Sequence, residues 1–313
     1  ALSGMRPPTL PTFEEVRLAN GMRVIVVQRG ALPLVSLVLA CNAGGSEDVG
    51  VTPGIDELLE RVLERRAREA APDLPVDLRP DVAVFSSGVT VSAGGARDRL
   101  GAMLVSIAEI VVTPRSDGDV VRRERQLLVD EIVDASHSYG VRVRDVHERV
   151  LIYGRDDPRA RPWYGDLDAF RAVAASEIAA RHRALFAPDA SAVVVVGDVE
   201  VAEVIDQMAS AFGSWSAPAV HGTRLAAAAF PTPAARLHAF PVSGPATIAL
   251  RGRAPTRLQP DRAAFEVATA LLGGMFGARI NRVLREERGH TYGVHATLND
   301  YREYSVLEID LAV

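Results

Sequence analysis

Two stretches of this chain run through one order of secondary-structure elements, and an Ala/Pro-rich run separates them. That repetition limits the fold more than any single motif does. The first stretch reads as a hairpin at 13–28, an apolar strand at 33–42 and a helix from about Gly54 to Ala70. A connection containing Pro72, Pro75 and Pro80 leads to a strand from Val82 to Ser92. Helices of 3.6-residue period follow at 96–112, 117–135, 141–153 and 174–186, then a buried strand at Val193–Gly197 and a helix at Val201–Phe212. Trp215–Pro233 reads as a linker. Beyond it the order resumes with a strand at 236–251, helices at 260–272 and 278–287, and strands at 291–313. An α+β chain of two tandem domains is therefore expected, 1–216 and 234–313, joined by 217–233.

The helix that opens Pro53-Gly54-Ile55-Asp56-Glu57-Leu58-Leu59-Glu60-Arg61 has the layout of a metal-binding catalytic helix. Positions 57 and 61 lie four apart and share a face, where two imidazoles could hold a zinc ion and Glu60 could serve as general base. Glutamate and arginine cannot do this together. A guanidinium has no lone pair to donate and repels a divalent cation, so Glu57 and Arg61 are expected to satisfy each other as an i,i+4 ion pair. On a second amphipathic helix, Glu124 and Glu131 lie seven apart, about two turns, and share a face. The four carboxylates could in principle hold a hard cation, but Arg61 among them argues against it.

At these residues the chain resembles the pitrilysin/insulinase superfamily of inverted-motif zinc peptidases, the superfamily of the mitochondrial processing peptidase. Its members typically read Pro-Gly-x-x-His-x-x-Glu-His, followed downstream by Glu-Arg-x-x-x-x-x-Glu. The resemblance puts Glu57 and Arg61 at the two histidine positions, Glu60 at the general base, Glu131 at the third ligand and Glu124 at the auxiliary acid. It implies that this chain holds no metal. Other stretches fall in the family's order: Leu18–Val24 with its Asn20-Gly21 turn, Ala43–Ser46, Tyr164–Asp166, Ala187–Asp189 and Val193–Val199. The implied architecture is two tandem α/β-sandwich domains of the metallopeptidase/LuxS-like type. The family pattern has further helices and a strand after the last alternation at 291–313, so the second domain is expected to be incomplete.

The second half carries Leu271–Asn281 and then Leu284-Arg285-Glu286-Glu287-Arg288-Gly289-His290-Thr291-Tyr292. In the family an arginine and a tyrosine seven apart in this stretch bind substrate and steady the tetrahedral intermediate, and Arg285 and Tyr292 match them. The chemistry asks for such groups, because the carbonyl oxygen gains charge as water adds, and a phenol and a guanidinium opposite a zinc ion stabilise it. The competing reading pairs Arg285 with a local acid such as Glu286 and leaves Tyr292 as a strand residue. Heterodimeric bacterial members divide the labour between a subunit with the zinc motif and one with the Arg/Tyr pair. The resemblance implies that this chain is the second kind: it would lend Arg285 and Tyr292 to a homologous subunit that keeps His-x-x-Glu-His and carries the zinc, with a peptide as substrate. A structural pseudopeptidase and a peptide-binding module on a sheet edge remain the alternatives.

Composition sets outer limits. The 313 residues are 48% hydrophobic and 24% charged, enough for one large domain or two medium ones. A net charge of -5 suggests neither nucleic acid nor an acidic membrane as partner. All 35 basic residues are arginine, so Schiff-base and lysine-base chemistry are excluded, and the usage suggests a GC-rich genome. Cys41, the only cysteine, lies in an apolar run and reads as a small buried hydrophobe. No two of the seven histidines stand at helical ligand spacing, and His290 and His295 would fall on opposite faces of a strand. Neither a leader nor an apolar run approaching a membrane span is read, so a cytoplasmic home is expected.

Overall fold

The computed structural model describes residues 11–42, 50–70, 75, 79–85, 88–115, 117–136, 149–154, 157–217, 246–301 and 304–313. The expected Ala43–Ser46 loop, nearly all of the linker and the start of the 236–251 strand lie outside these, as do His137, His147, His221 and His238. The fold is mixed α/β. Its contacts divide into two compact units, one made of 1–51, 55–125 and 172–223, the other of 52–54, 126–171 and 224–313.

The first unit is built on a six-stranded sheet of β1 (Glu14–Arg17), β2 (Arg23–Gln28), β3 (Leu34–Cys41), β4 (Asp81–Phe85), β5 (Gly88–Ala96) and β6 (Ser191–Gly197). The strand order is β1-β2-β6-β3-β5-β4; β2 and β6 run parallel, and every other pair is antiparallel. Along β3 the side chains alternate between exposed and buried, the period-2 signature of a sheet covered on one face. Val24, Val26, Leu37, Leu39, Val91, Val193 and Val195 form the covered face. The covering layer comes from α1 (Ile55–Ala70), α2 (Leu100–Val111), the first part of α3 (Gly118–Ser136), α6 (Ala175–Leu185) and α7 (Val201–Phe212). Leu58, Leu59, Val62 and Leu63 of α1 are all buried, which places Glu57, Glu60 and Arg61 on the remaining sides of that helix.

Two buried polar contacts hold this layer. Arg181 of α6 donates two hydrogen bonds to the Asp56 carboxylate at the start of α1, at 2.7 and 3.0 Å, with both side chains largely out of solvent. His182 lies 2.8 Å from the Ile110 carbonyl through Nε2, so Nε2 carries the proton and donates it. Burial, opposed in part by that hydrogen bond, pushes the imidazole down to about 4. Because the folded state resists a proton that the unfolded chain accepts at about 6.5, stability should fall as pH drops from 6.5 to 4 and change no further from this source below that window. The expected loss is roughly 3 kcal/mol. Urea unfolding at pH 7 and at pH 4 should register it in the wild type and much less of it in His182→Gln; equal slopes would refute the assignment.

The second unit contains a three-stranded antiparallel sheet, β7 (Thr247–Ala254), β8 (Val294–Asp300) and β9 (Ser305–Ala312), in the order β7-β9-β8. A helix, α8 (Arg262–Thr269), continues as a π-helical stretch Ala270–Gly274; after a turn, α9 (Arg279–Asn281) continues as a second one, Arg282–Glu287. A Cβ at Gly273 would come within 3.0 Å of Ala296 Cβ, so the glycine lets the helical layer sit close on β8. Val294, Ala296, Ile309 and Leu311 form the core there, with Ile280 and Leu284 packed against it. By length and composition the run Arg262–Glu287 passes as a membrane span, which the sequence reading did not foresee. Here one side of that run packs on the sheet, and Arg262 pairs with Asp300 at 2.7 Å.

The segment 149–171 contributes α4 (Arg149–Tyr153) and α5 (Leu167–Ala172) to this same unit. Ile152, Tyr153 and Ala160 are buried with Tyr304 and Val306, and the Tyr153 and Tyr304 hydroxyls stand 2.6 Å apart. The two compact units thus cut the chain differently from the 1–216 and 234–313 segments read from the sequence. Gly54, at φ +80°, sits where a Cβ would strike the Phe170 ring at 2.9 Å, which is why glycine precedes α1.

Candidate functional site

α1 presents Glu57 and Arg61 as the i,i+4 pair expected from their spacing, with Glu57 Oε1 3.8 Å from Arg61 Nε. One turn along, Arg65 donates to Glu69 at 3.0 Å and to Glu124 of α3 at 3.1 Å. Glu124 is buried, and an arginine answers its charge. Glu60 is half-buried and accepts the Val84 backbone N–H at 2.6 Å. Burial raises its carboxyl above the usual range; the Val84 hydrogen bond opposes this, and the neighbouring charges of Glu57, Glu64 and Asp81 add to it. Since β4 is an edge strand, Glu60 occupies a backbone donor of the sheet's last strand.

Glu131 belongs to the second unit, on the later part of α3, and is exposed. Among the described residues no group of three or more His, Cys, Asp or Glu side chains is placed to hold a metal ion. The donor set does not fit zinc. Arginines stand beside two of the carboxylates, Glu60 is engaged by the backbone, and no imidazole is present on α1. Cys41 is buried, its Sγ donating to the Leu185 carbonyl at 2.9 Å, as a core residue would.

In the second unit, Arg285 lies in the π-helical turn that follows α9. The helix ends at Gly289, whose φ of +62° turns the chain back, with Gly289 N–H bonded to Arg285 O and His290 N–H to Leu284 O. This return brings Tyr292 beside Arg285: the guanidinium carbon sits 5.5 Å from the Tyr292 ring centroid and 4.3 Å from that of Phe276. Among the described residues Arg285 makes no ion pair, and the nearby Glu287 is engaged by Arg282 at 3.6 Å. The competing pairing of Arg285 with Glu286 does not form among the described residues. Tyr292 is 91% exposed, and its hydroxyl makes no hydrogen bond among the described residues. The arrangement offers an outward-facing phenol and a cation held between two ring faces, both suited to meet a developing oxyanion.

Phe276 is the residue that the sequence reading passed over. It falls within the quoted Leu271–Asn281 stretch, between Gly274 and Gly277, and no spacing rule singles it out.

Residues 172–313 match the family model described as the peptidase M16 inactive domain. This part of the chain is similar to that domain. The fold agrees over nearly the whole length. It is similar to a protease from Helicobacter pylori (TM-score 0.77, 19% identity, 97% of this chain and 75% of that one). It is likewise similar to the peptidase M16 inactive domain from Pseudomonas fluorescens (TM-score 0.76, 21% identity, 96% and 74%). The periplasmic protease PqqL from Escherichia coli shares the fold as well (TM-score 0.69, 15% identity), with 98% of this chain covering 36% of that larger one. No curated protein matches the sequence. The matched model, described as an inactive domain, covers less than half of the chain. Glu57 and Arg61 lie outside the matched residues.

Proposed function

We propose that this chain is the non-metal-binding subunit of a two-subunit M16-type zinc peptidase, and that it supplies Arg285 and Tyr292 to the active site of a homologous partner bearing His-x-x-Glu-His. The observation that carries the reading is the exposed Tyr292 hydroxyl beside a guanidinium with no carboxylate partner among the described residues. Folding does not use either group in that state, since an exposed phenol buries little area and an unpaired arginine gains no ion pair. The ion pair Glu57–Arg61 supports the other half of the reading, because it occupies the positions where a catalytic homologue would place metal ligands. In the complex, zinc held by the partner would polarise the scissile carbonyl and activate water. Arg285 would hold the substrate chain, and Tyr292 would donate a hydrogen bond to the oxygen as it becomes charged. The substrate is a peptide.

Co-expression with a zinc-motif homologue from the same genome, followed by sizing with light scattering and elemental analysis, tests this assembly. A 1:1 heterodimer with about one zinc is expected, its interface burying at least ~1,000 Å². The chain purified alone should hold well under one zinc, and chelator should leave its melting temperature unchanged. Stoichiometric zinc on the isolated chain, or a monomer indifferent to every such homologue, would count against the reading.

A further inference from the structure

We propose that Phe276 is a positioning residue for Arg285, fixing the guanidinium in the orientation that the peptidase reaction uses; this rests on the reading of Arg285 and Tyr292 given above. The Arg285 guanidinium carbon lies nearer to the Phe276 ring, at 4.3 Å, than to that of Tyr292, at 5.5 Å. Stacking on a ring face restrains a long side chain through the plane of its guanidinium and leaves the N–H fork at the rim free for a carbonyl or carboxylate. An arginine without an ion pair would otherwise sample many rotamers and lose that freedom on meeting substrate.

The rings themselves are held. Asn281 is buried; its Nδ2 donates to the Met275 carbonyl at 3.2 Å and to the Val294 carbonyl at 3.1 Å, and its Oδ1 accepts the Val294 N–H at 2.7 Å. These bonds tie the residue before Phe276 to the strand that begins two residues after Tyr292. Phe276 is 68% exposed, so its ring is not needed to fill a core. Its cost in exposed apolar area is explained if its face serves Arg285.

The experiment uses the assembled two-subunit enzyme and an internally quenched peptide mixture, with Phe276→Leu, Phe276→Tyr and Tyr292→Phe compared at matched melting temperature. Leucine keeps an apolar side chain but removes the ring face, and should lower kcat about tenfold with KM within about twofold; tyrosine should restore the rate. In the isolated chain the Arg285 Hδ proton resonances, identified by their absence in Arg285→Lys, should lie upfield from ring shielding and move downfield in Phe276→Leu. A Phe276→Leu enzyme at the wild-type rate while Tyr292→Phe is slow would overturn the proposal and leave the underlying reading intact. Equal losses in Phe276→Leu and Phe276→Tyr would also overturn it, since they would mark general packing. A wild-type rate for Tyr292→Phe would defeat the reading itself, and the proposal with it.

Discussion

Replacing Tyr292 by phenylalanine is expected to lower kcat of the proposed two-subunit enzyme by about 10²–10³-fold while leaving assembly intact. The substitution deletes one hydroxyl from a side chain that is 91% exposed, so the fold loses almost nothing with it. On the proposed reading, what is lost is a hydrogen-bond donor to a charge that develops only in the transition state, and such donors act on kcat more than on KM. Glu60→Gln provides the contrast. The sequence resemblance gives Glu60 the general-base position, but here it accepts the Val84 N–H, a role that a glutamine carbonyl can also fill. Its replacement should leave the rate nearly unchanged. A loss from Glu60→Gln as large as that from Tyr292→Phe would show that this chain's own first unit performs catalysis.

The largest expected effect on stability lies elsewhere in the first unit. Arg181→Met should cost about 3–5 kcal/mol, because it leaves the Asp56 carboxylate buried without its cation. For a unit of this size that corresponds to a fall in melting temperature on the order of 10 °C. The double variant Asp56→Leu with Arg181→Met should recover much of the loss, since an apolar pair removes the stranded charge. Thermal unfolding of the two singles and the double separates these outcomes. Additive losses in the double variant would show that the two side chains are not coupled.

Helices with a strong apolar stripe and a clear stop were legible in the residues. Val201–Phe212 falls where the periodicity places it, and α1 starts one residue after Gly54 as expected. The stretch Val82–Ser92 reads as one strand because its apolar alternation is nearly continuous. The structure instead forms β4 and β5, which pair with each other from Asp81↔Ser92 to Phe85↔Gly88. The six-residue α5 is too short to establish a period, and the π-helical turns at 270–274 and 282–287 leave no local signature. The clustering of Ile152 and Tyr153 with Tyr304 joins residues far apart in sequence, and no local pattern reports such a contact.

The candidate site divides along the same line. The Glu57–Arg61 pair follows from helical spacing alone, and the structure has it. The seven-residue spacing of Arg285 and Tyr292 signals a pair only through the family resemblance; the return at Gly289 that brings them together is a tertiary result. Three partners could not be read from the sequence at all: Val84 for Glu60, Arg65 for Glu124 and Phe276 for Arg285. Each depends on where a second element packs.

Cleavage of a quenched peptide mixture by separately purified subunits, assayed alone and after mixing, tests the central claim most directly. This chain should be inactive alone, the zinc-motif homologue should be nearly so, and turnover should appear on mixing in proportion to a 1:1 complex. Full activity of the zinc-motif homologue alone, unchanged by this chain, would contradict the account.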